Sequence, residues 1–289
     1  MKLIATDLDG TLLNEKHEIS QENMEAIQLA KDNGIEVIVA TGRSYNAAKK
    51  PLESAGLSCP IICLNGAKVH NKAGKILSTA PLDKAICKVI QQACETQGIY
   101  FEVFTNQGGF SKSRDQFIEV MVDINKSAFP DLDTDALRKR ATDRFQEEEM
   151  IMTDDFDALF NRSDIEVYKI LAFSLEQKNL DKVANDLQGE QTLTITSSGH
   201  SNLEFNDVNA QKGLALQTYA EQINVALEDV MAIGDNYNDL SMLKIAGRGV
   251  AMGNADDDIK MACTHTTKTN LKNGVSYAIK EMLAEHYKM

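Results

Sequence analysis

Apolar strands alternate with amphipathic helices at both ends of this 289-residue chain, and the alternation breaks in the middle. Residues 3–6, LIAT, form the first apolar run. Ser20 stands where it can cap a helix whose Met24, Ile27, Leu29 and Ala30 give an approximately helical apolar face, and Gly34 stops it. IEVIVA (35–40) has the β-branched make-up of a strand buried on both faces. A second helix runs to about Gly56, the strand PIICL (60–64) follows, and a hairpin turns through Lys72 to Gly74. The rhythm resumes near the end. QKGLALQTYAEQI reads as a helix, DVMAIGD as a buried strand, DLSMLKIAG as a helix and GVAM as a strand. Val275, Ile279 and Leu283 stripe a last helix. Parallel neighbours need a crossover between them, so this order predicts an α/β fold with a parallel sheet and helices on both faces.

The middle reads differently. A helix over 83–97 carries Cys87, Ile90 and Cys94 on one side. IYFEVFT and GFSKS pair through NQGG, and a stretch rich in Asp, Glu and Arg follows. Then come the strand YKILAFS, the helix EQKNLDKVANDLQ and the strands TLTITSS and NLEFN, which turn at GHS. Hairpins suit an antiparallel sheet covered on one face. The expectation is an inserted α+β domain over 83–207 within a core formed by 1–82 and 208–289. The acidic runs at 147–149 and 153–155 read as a solvated face. Tyr100, Asn106, His200 and Asn202 lie near the hairpin turns, where they could touch a ligand.

Charge and composition exclude several partner classes. A net charge of −13 opposes nucleic acid and anionic membrane surfaces. No window approaches the roughly 18 apolar residues of a membrane span. The N-terminus meets acids after four apolar residues, unlike a signal peptide. The five cysteines follow no C-x-x-C pattern and read as reduced core residues, so a cytoplasmic location is expected. The histidines have no zinc-ligand spacing. Oligomeric state is left open.

The chemistry gathers at strand ends. The first strand of the outer domain ends in Asp7, with Asp9 beyond it; the second ends in Thr41-Gly42, the third in Asn65-Gly66 and the fourth in Gly234-Asp235, with Asp239 following. Ligands of open α/β sheets bind beyond the carboxyl ends of the strands, so these residues should share one crevice. Four acids there would repel one another and any anion unless a cation sat among them. Oxygen ligands without His or Cys suit Mg2+, which could clamp a phosphate. Thr41 offers a hydroxyl, Gly42 leaves room for backbone N–H groups, Lys212 begins a helix, and Asn238 precedes Asp239. Each residue also has a plainer reading. Asp-Gly is a common turn pair, Asp235 and Asp239 can cap a helix, Lys212 can be a surface lysine, and Asn65 can serve its turn. Arg43, which could reach a phosphate or answer a helix dipole, is left outside the site.

DLDGTLL, ATGR, NAQKG and GDNYND, in that order, resemble the four motifs of the haloacid dehalogenase-like phosphatases. The NGA after the third strand and the large insert resemble the Cof-type branch. The resemblance spans the whole chain. It implies a Rossmann-like core, an α/β cap acting as a substrate lid, and a magnesium-dependent phosphatase of small phosphorylated metabolites such as sugar phosphates. By resemblance Asp7 is the nucleophile that becomes an aspartyl-phosphate, and Asp9 is the general acid and base. Asp7, the Asp9 carbonyl and Asp235 would hold the metal, supported by Asp239. The Leu8 amide, Thr41, Gly42, Lys212 and Asn238 would hold the phosphoryl oxygens, and Asn65 is a further candidate for substrate contact. Two other readings are a phosphomutase of sugar phosphates and a phospholigand sensor without turnover.

Overall fold

The computed structural model describes residues 1–128, 131–199 and 201–286. His200 therefore lies outside the described residues. Two compact units are present, Met1–Thr79 with Ala210–Met289, and Ala80–Asn209.

The first unit opens with β1 (Leu3–Thr6), α1 (Gln21–Asp32), β2 (Glu36–Ala40), α2 (Tyr45–Ser54), β3 (Ile61–Cys63), β4 (Lys68–His70) and β5 (Ile76–Thr79). Ser20 caps α1 by accepting the Asn23 N–H at 3.2 Å. The buried stripe of α1 is Asn23, Ala26, Ile27 and Ala30. Leu29, expected on that face, is exposed, because at 100° per residue it falls outside the 23/26/27/30 stripe. β3 ends one residue earlier than the apolar run suggests. Leu64, Asn65 and Gly66 all take left-handed backbone conformations there and turn the chain out of the sheet.

The inserted unit runs α3 (Lys84–Thr96), β6 (Tyr100–Thr105), β7 (Gly108–Ser111), α4 (Arg114–Ala128), α5 (Thr134–Glu147), β8 (Ile151–Met152), α6 (Phe156–Asn161), β9 (Val167–Phe173), α7 (Gln177–Leu187), β10 (Leu193–Thr196) and β11 (Asn202–Asp207). Its sheet has the order β10-β11-β9-β6-β7-β8 and is antiparallel except at β7–β8. Phe101, Val103, Ile170, Ala172 and Phe205 face a core with Cys87, Ile90, Phe156, Leu180 and Val183 from α3, α6 and α7.

The expectation of a sheet covered on one face needs correction. The charged stretch forms α4 and α5. Phe117 of α4 meets Tyr100, on the opposite face of β6 from Phe101, with ring centroids 6.4 Å apart, and Phe145 of α5 packs on Phe117 at 5.3 Å. The buried positions Phe117 and Met121 of α4, and Leu137, Ala141 and Phe145 of α5, recur every four residues; those of α5 are diluted among charges. The solvated face expected at 147–149 is also only partial, because Glu148 is buried. The polar candidates near the turns have local partners. Tyr100 Oη lies 2.8 Å from Ser111 Oγ, Asn106 Nδ2 donates to the Asp164 carbonyl at 2.9 Å, and Asn202 Nδ2 donates to Ser198 Oγ at 3.0 Å.

The chain returns to the first unit with α8 (Lys212–Gln222), β12 (Val230–Gly234), α9 (Leu240–Ile245), β13 (Arg248–Ala251), α10 (Asp257–Met261), β14 (His265–Thr266) and α11 (Gly274–His286). The sheet order is β14-β13-β12-β1-β2-β3-β4-β5, parallel from β14 to β3 and antiparallel over the last two pairs. From β1 the chain winds outward through β2 and β3 on one side. After the insert it restarts at β12 on the other, so the topological switch point lies between β1 and β12. Leu3, Ala5, Ile38 and Ala232 pack on α8, α9 and α10 through Leu216, Ala220, Met242, Leu243 and Ile259. On the other face Asn23 joins α1 to its neighbours. Its Nδ2 donates to the Leu12 carbonyl at 3.2 Å, and its Oδ1 accepts the Ser276 N–H at 2.9 Å.

One buried group of the inserted unit makes its stability pH-dependent. Glu102 is fully buried, with Arg144 Nη2 3.1 Å from its carboxylate. Burial, aided by Glu148, outweighs Arg144 and pushes the carboxyl up to about 7. The folded value exceeds the unfolded one, so this contribution is fully present below the ordinary carboxylate range and is lost as pH rises through about 7. Glu102→Gln should lose less melting temperature than the wild type between about pH 5 and pH 8. Equal slopes in thermal melts would contradict this environment for Glu102.

Candidate active site

The switch point gathers the acids. Asp7 follows β1, its N–H donating to the Ile233 carbonyl of β12 at 2.9 Å, and Asp235 follows β12. One ligand oxygen each of Asp7, Asp235 and Asp239 lies within 4.8 Å of the others. Lys212, the first residue of α8, is buried between two of them: its Nζ is 2.6 Å from Asp7 Oδ1 and 2.6 Å from Asp239 Oδ1. The reading of Lys212 as a surface side chain is therefore wrong.

Asp239 is committed to the fold. Its Oδ1 takes the Lys212 ammonium, and its Oδ2 accepts the Asp235 and Asn236 N–H groups at 2.9 and 3.0 Å. It is the third residue of a capping box over Tyr237–Asp239, where Asn236 is the N-cap and Asp239 accepts the Asn236 N–H, so a capping role of the kind read from the sequence applies to it. Gly234 makes room for it, since a Cβ there would fall 2.6 Å from the Asp239 Cβ. Asp235 instead accepts the Thr11 hydroxyl on Oδ1 at 2.6 Å.

After Asp7 the chain makes one wide turn over Leu8–Leu12, closed by the Leu13 N–H donating to the Leu8 carbonyl. Gly10 sits in this turn at φ +76°, and a Cβ on it would fall 2.3 Å from Asp235 Oδ2. Both the conformation and the neighbour require glycine. The turn directs Asp9 away from the other three acids. Its carboxylate is half-exposed and gripped by Arg43, Nε to Oδ2 at 2.7 Å and Nη2 to Oδ1 at 2.5 Å, with His17 Nδ1 at 3.8 Å. Arg43 thus stands inside the site from which the sequence reading omitted it.

Thr41 and Asn65 follow β2 and β3, with Gly42 next to Thr41 in the chain. Thr41 is buried, and its Oγ1 accepts the Arg43 N–H at 3.2 Å. The Asn65 N–H donates to the Thr41 carbonyl at 3.1 Å, and Asn65 Oδ1 accepts from Asn238 Nδ2 at 3.3 Å. The left-handed run Leu64–Gly66 follows β3, and Asn65 within it meets Asn238 of the turn after β12. Strain of this kind at non-glycine positions clusters at functional sites.

The electrostatics follow from burial. Burial and Asp239 raise the Asp7 carboxyl well above its ordinary value against the pull of Lys212, and the same two causes raise Asp235. Desolvation alone would lower the Lys212 ammonium, but Asp239 and Asp7 hold it protonated. Desolvation would raise Asp9, yet the Arg43 guanidinium and His17 hold it well below the usual carboxylate range. One lysine against three clustered acids leaves a deficit of positive charge. A divalent cation on Asp7, Asp235 and the Asp9 carbonyl would supply it and reverse the two raised values. The donor set, oxygens alone, fits a hard ion.

Sequence reading missed Thr11 and Asn254 and weighed Arg43 but left it outside the site. Asn254, in the loop after β13, donates through Nδ2 to the Gly10 carbonyl at 2.9 Å. Thr11 lies in the DGT stretch and Arg43 in TGR, so proximity to assigned residues was a usable signal for both. Asn254 had none.

Comparisons with known proteins agree on a family. The family model described as haloacid dehalogenase-like hydrolase matches residues 4–279. The chain is 37% identical to Phosphatase YwpJ of Bacillus subtilis over 98% of its length and 100% of that protein. It is also 37% identical to the 5-amino-6-(5-phospho-D-ribitylamino)uracil phosphatase YwtE of the same organism, over 99% of the chain and 100% of the relative. A solved haloacid dehalogenase-like hydrolase from B. subtilis superposes with a TM-score of 0.89 at 37% identity, over 98% of this chain and 100% of the other.

Removing the buried lysine tests the charge balance. Lys212→Met should cost about 3–5 kcal/mol in urea unfolding, because it leaves Asp7 and Asp239 buried without their cation. Adding Asp239→Asn should recover part of that loss. No recovery in the double variant would show that the ion pair is not its source.

Proposed function

The chain belongs to the haloacid dehalogenase-like hydrolases and is a phosphatase of small phosphorylated metabolites, and we propose that it works through an aspartyl-phosphate on Asp7 with Mg2+ as its metal. The observation that carries the reading is the sorting of two near-adjacent carboxylates: Asp7 is buried on Lys212, and Asp9 is turned out onto Arg43.

In the first step an Asp7 carboxylate oxygen attacks phosphorus, the bond from phosphorus to the ester oxygen breaks, and that oxygen takes a proton from Asp9. In the second, water attacks phosphorus, the bond to Asp7 breaks, and Asp9 receives the proton of the water. Lys212 holds the Asp7 carboxylate in place, while Thr41, Gly42, Asn238 and the Leu8 amide offer donors to the phosphoryl oxygens. Arg43 keeps Asp9 ionised, which suits the second step, so it must part from Asp9 before the first. Mg2+ on Asp7, the Asp9 carbonyl and Asp235 would neutralise phosphoryl charge. The inserted unit, Ala80–Asn209, is the part assigned to selecting the organic portion of the substrate. The name of the relative YwtE, a phosphatase of a phosphorylated ribityl compound, makes polyhydroxylated phosphate esters the first class to assay.

Phosphate release from a panel of sugar and polyol phosphates with Mg2+ present is the direct assay. Asp7→Asn should lose turnover by about 10³-fold or more with little change in melting temperature. Retained turnover would remove Asp7 as nucleophile. Thorough chelation should abolish release and Mg2+ should restore it, with Ca2+ much less effective because it tolerates looser geometry. Release that survives chelation would contradict the metal.

A further inference from the structure

We propose that Asn254 is a positioning residue for the divalent-cation site, holding the loop after β1 against the end of β12. The inference rests on the proposed assignment of Asp7, the Asp9 carbonyl and Asp235 as metal ligands.

Asn254 joins three segments distant in sequence. Its Nδ2 donates to the Gly10 carbonyl at 2.9 Å and lies 3.5 Å from Asp235 Oδ2. Its Oδ1 accepts the Asn270 N–H at 3.0 Å, and Asn270 Nδ2 donates to the Leu13 carbonyl at 2.9 Å. The Gly10 carbonyl is one peptide beyond the Asp9 carbonyl. Asn254 therefore grips the backbone next to one proposed ligand and faces the carboxylate of another. Thr11 fixes the first oxygen of Asp235 and Asn254 approaches the second.

The need for such a grip follows from Gly10. That position must lack a side chain, because the Asp235 carboxylate occupies the space a Cβ would fill. A residue without a side chain offers only its backbone to its neighbours, and the Gly10 carbonyl takes the Asn254 amide there. Partners that orient metal ligands in this way commonly change metal affinity 10–100-fold when removed. Asn254 is itself exposed, so its truncation leaves no cavity in the core.

The test compares Asn254→Ala with Asn270→Ala. The second variant loses the bond to Leu13 and keeps the backbone N–H that Asn254 accepts, so it reports loosening of the same loops alone. Mn2+ binding is measured by electron paramagnetic resonance without substrate, beside the Mg2+ dependence of turnover and the melting temperature. Asn254→Ala should weaken Mn2+ binding and raise the Mg2+ requirement by about tenfold, with turnover at saturating Mg2+ largely restored. Asn270→Ala should bind Mn2+ as the wild type does. Unchanged Mn2+ affinity in Asn254→Ala, or an equal loss in Asn270→Ala, would overturn the inference and leave the proposed chemistry standing. A wild-type chain that binds no Mn2+ would overturn both.

Discussion

The ammonium of Lys212, shared by Asp7 and Asp239, is the contact on which the site depends. Buried carboxylates repel one another and resist ionisation, and among the described residues Lys212 is the lysine set between them. Its position also constrains the topology. Residue 212 must return to within 2.6 Å of residue 7 after a whole inserted unit. The strand order does this by restarting the parallel sheet beside β1, with α8 entering just before β12.

Four acids near one switch point would be redundant if their surroundings were alike. Asp239 has both oxygens engaged by the fold. Asp235 is steadied by Thr11, Asp7 faces the lysine, and Asp9 is drawn aside by Arg43. The same side-chain chemistry thereby divides into a structural anchor, a proposed metal ligand, a proposed nucleophile and a proposed proton carrier. Gly10 makes the division geometrically possible, because only a chain without a Cβ turns there beside Asp235.

The α/β order was legible because parallel strands buried on both faces leave unmistakable apolar runs, IEVIVA and DVMAIGD among them. The strand-end residues were legible for a related reason: a parallel sheet delivers every carboxyl end to the same edge. Helices α4 and α5 were not. In α5 the apolar residues are sparse among charges, and in α4 Ile118, Val120, Val122 and Ile124 flank Phe117 and Met121 so that no single face stands out, and the buried stripe emerges only against Tyr100 and its neighbours. Arg43 was visible but ambiguous, since its partner depends on how the turn after Asp7 aims Asp9. Asn254 could not be found at all, because its contact with Gly10 spans 244 residues and involves a carbonyl that carries no sequence signal. A sequence reports which groups are available, and long-range backbone contacts appear only once the chain is folded.

The central claim is that Asp7 accepts the phosphoryl group. An Asp9→Asn variant offered an aryl phosphate, whose leaving group needs little protonation, should form the intermediate and hydrolyse it slowly. Acid quenching, digestion and mass spectrometry should then find one phosphoryl group on the peptide that contains Asp7, removable by hydroxylamine. Aryl alcohol released in a burst with no phosphoryl group on that peptide, or a phosphoryl group on any other residue, would contradict the account.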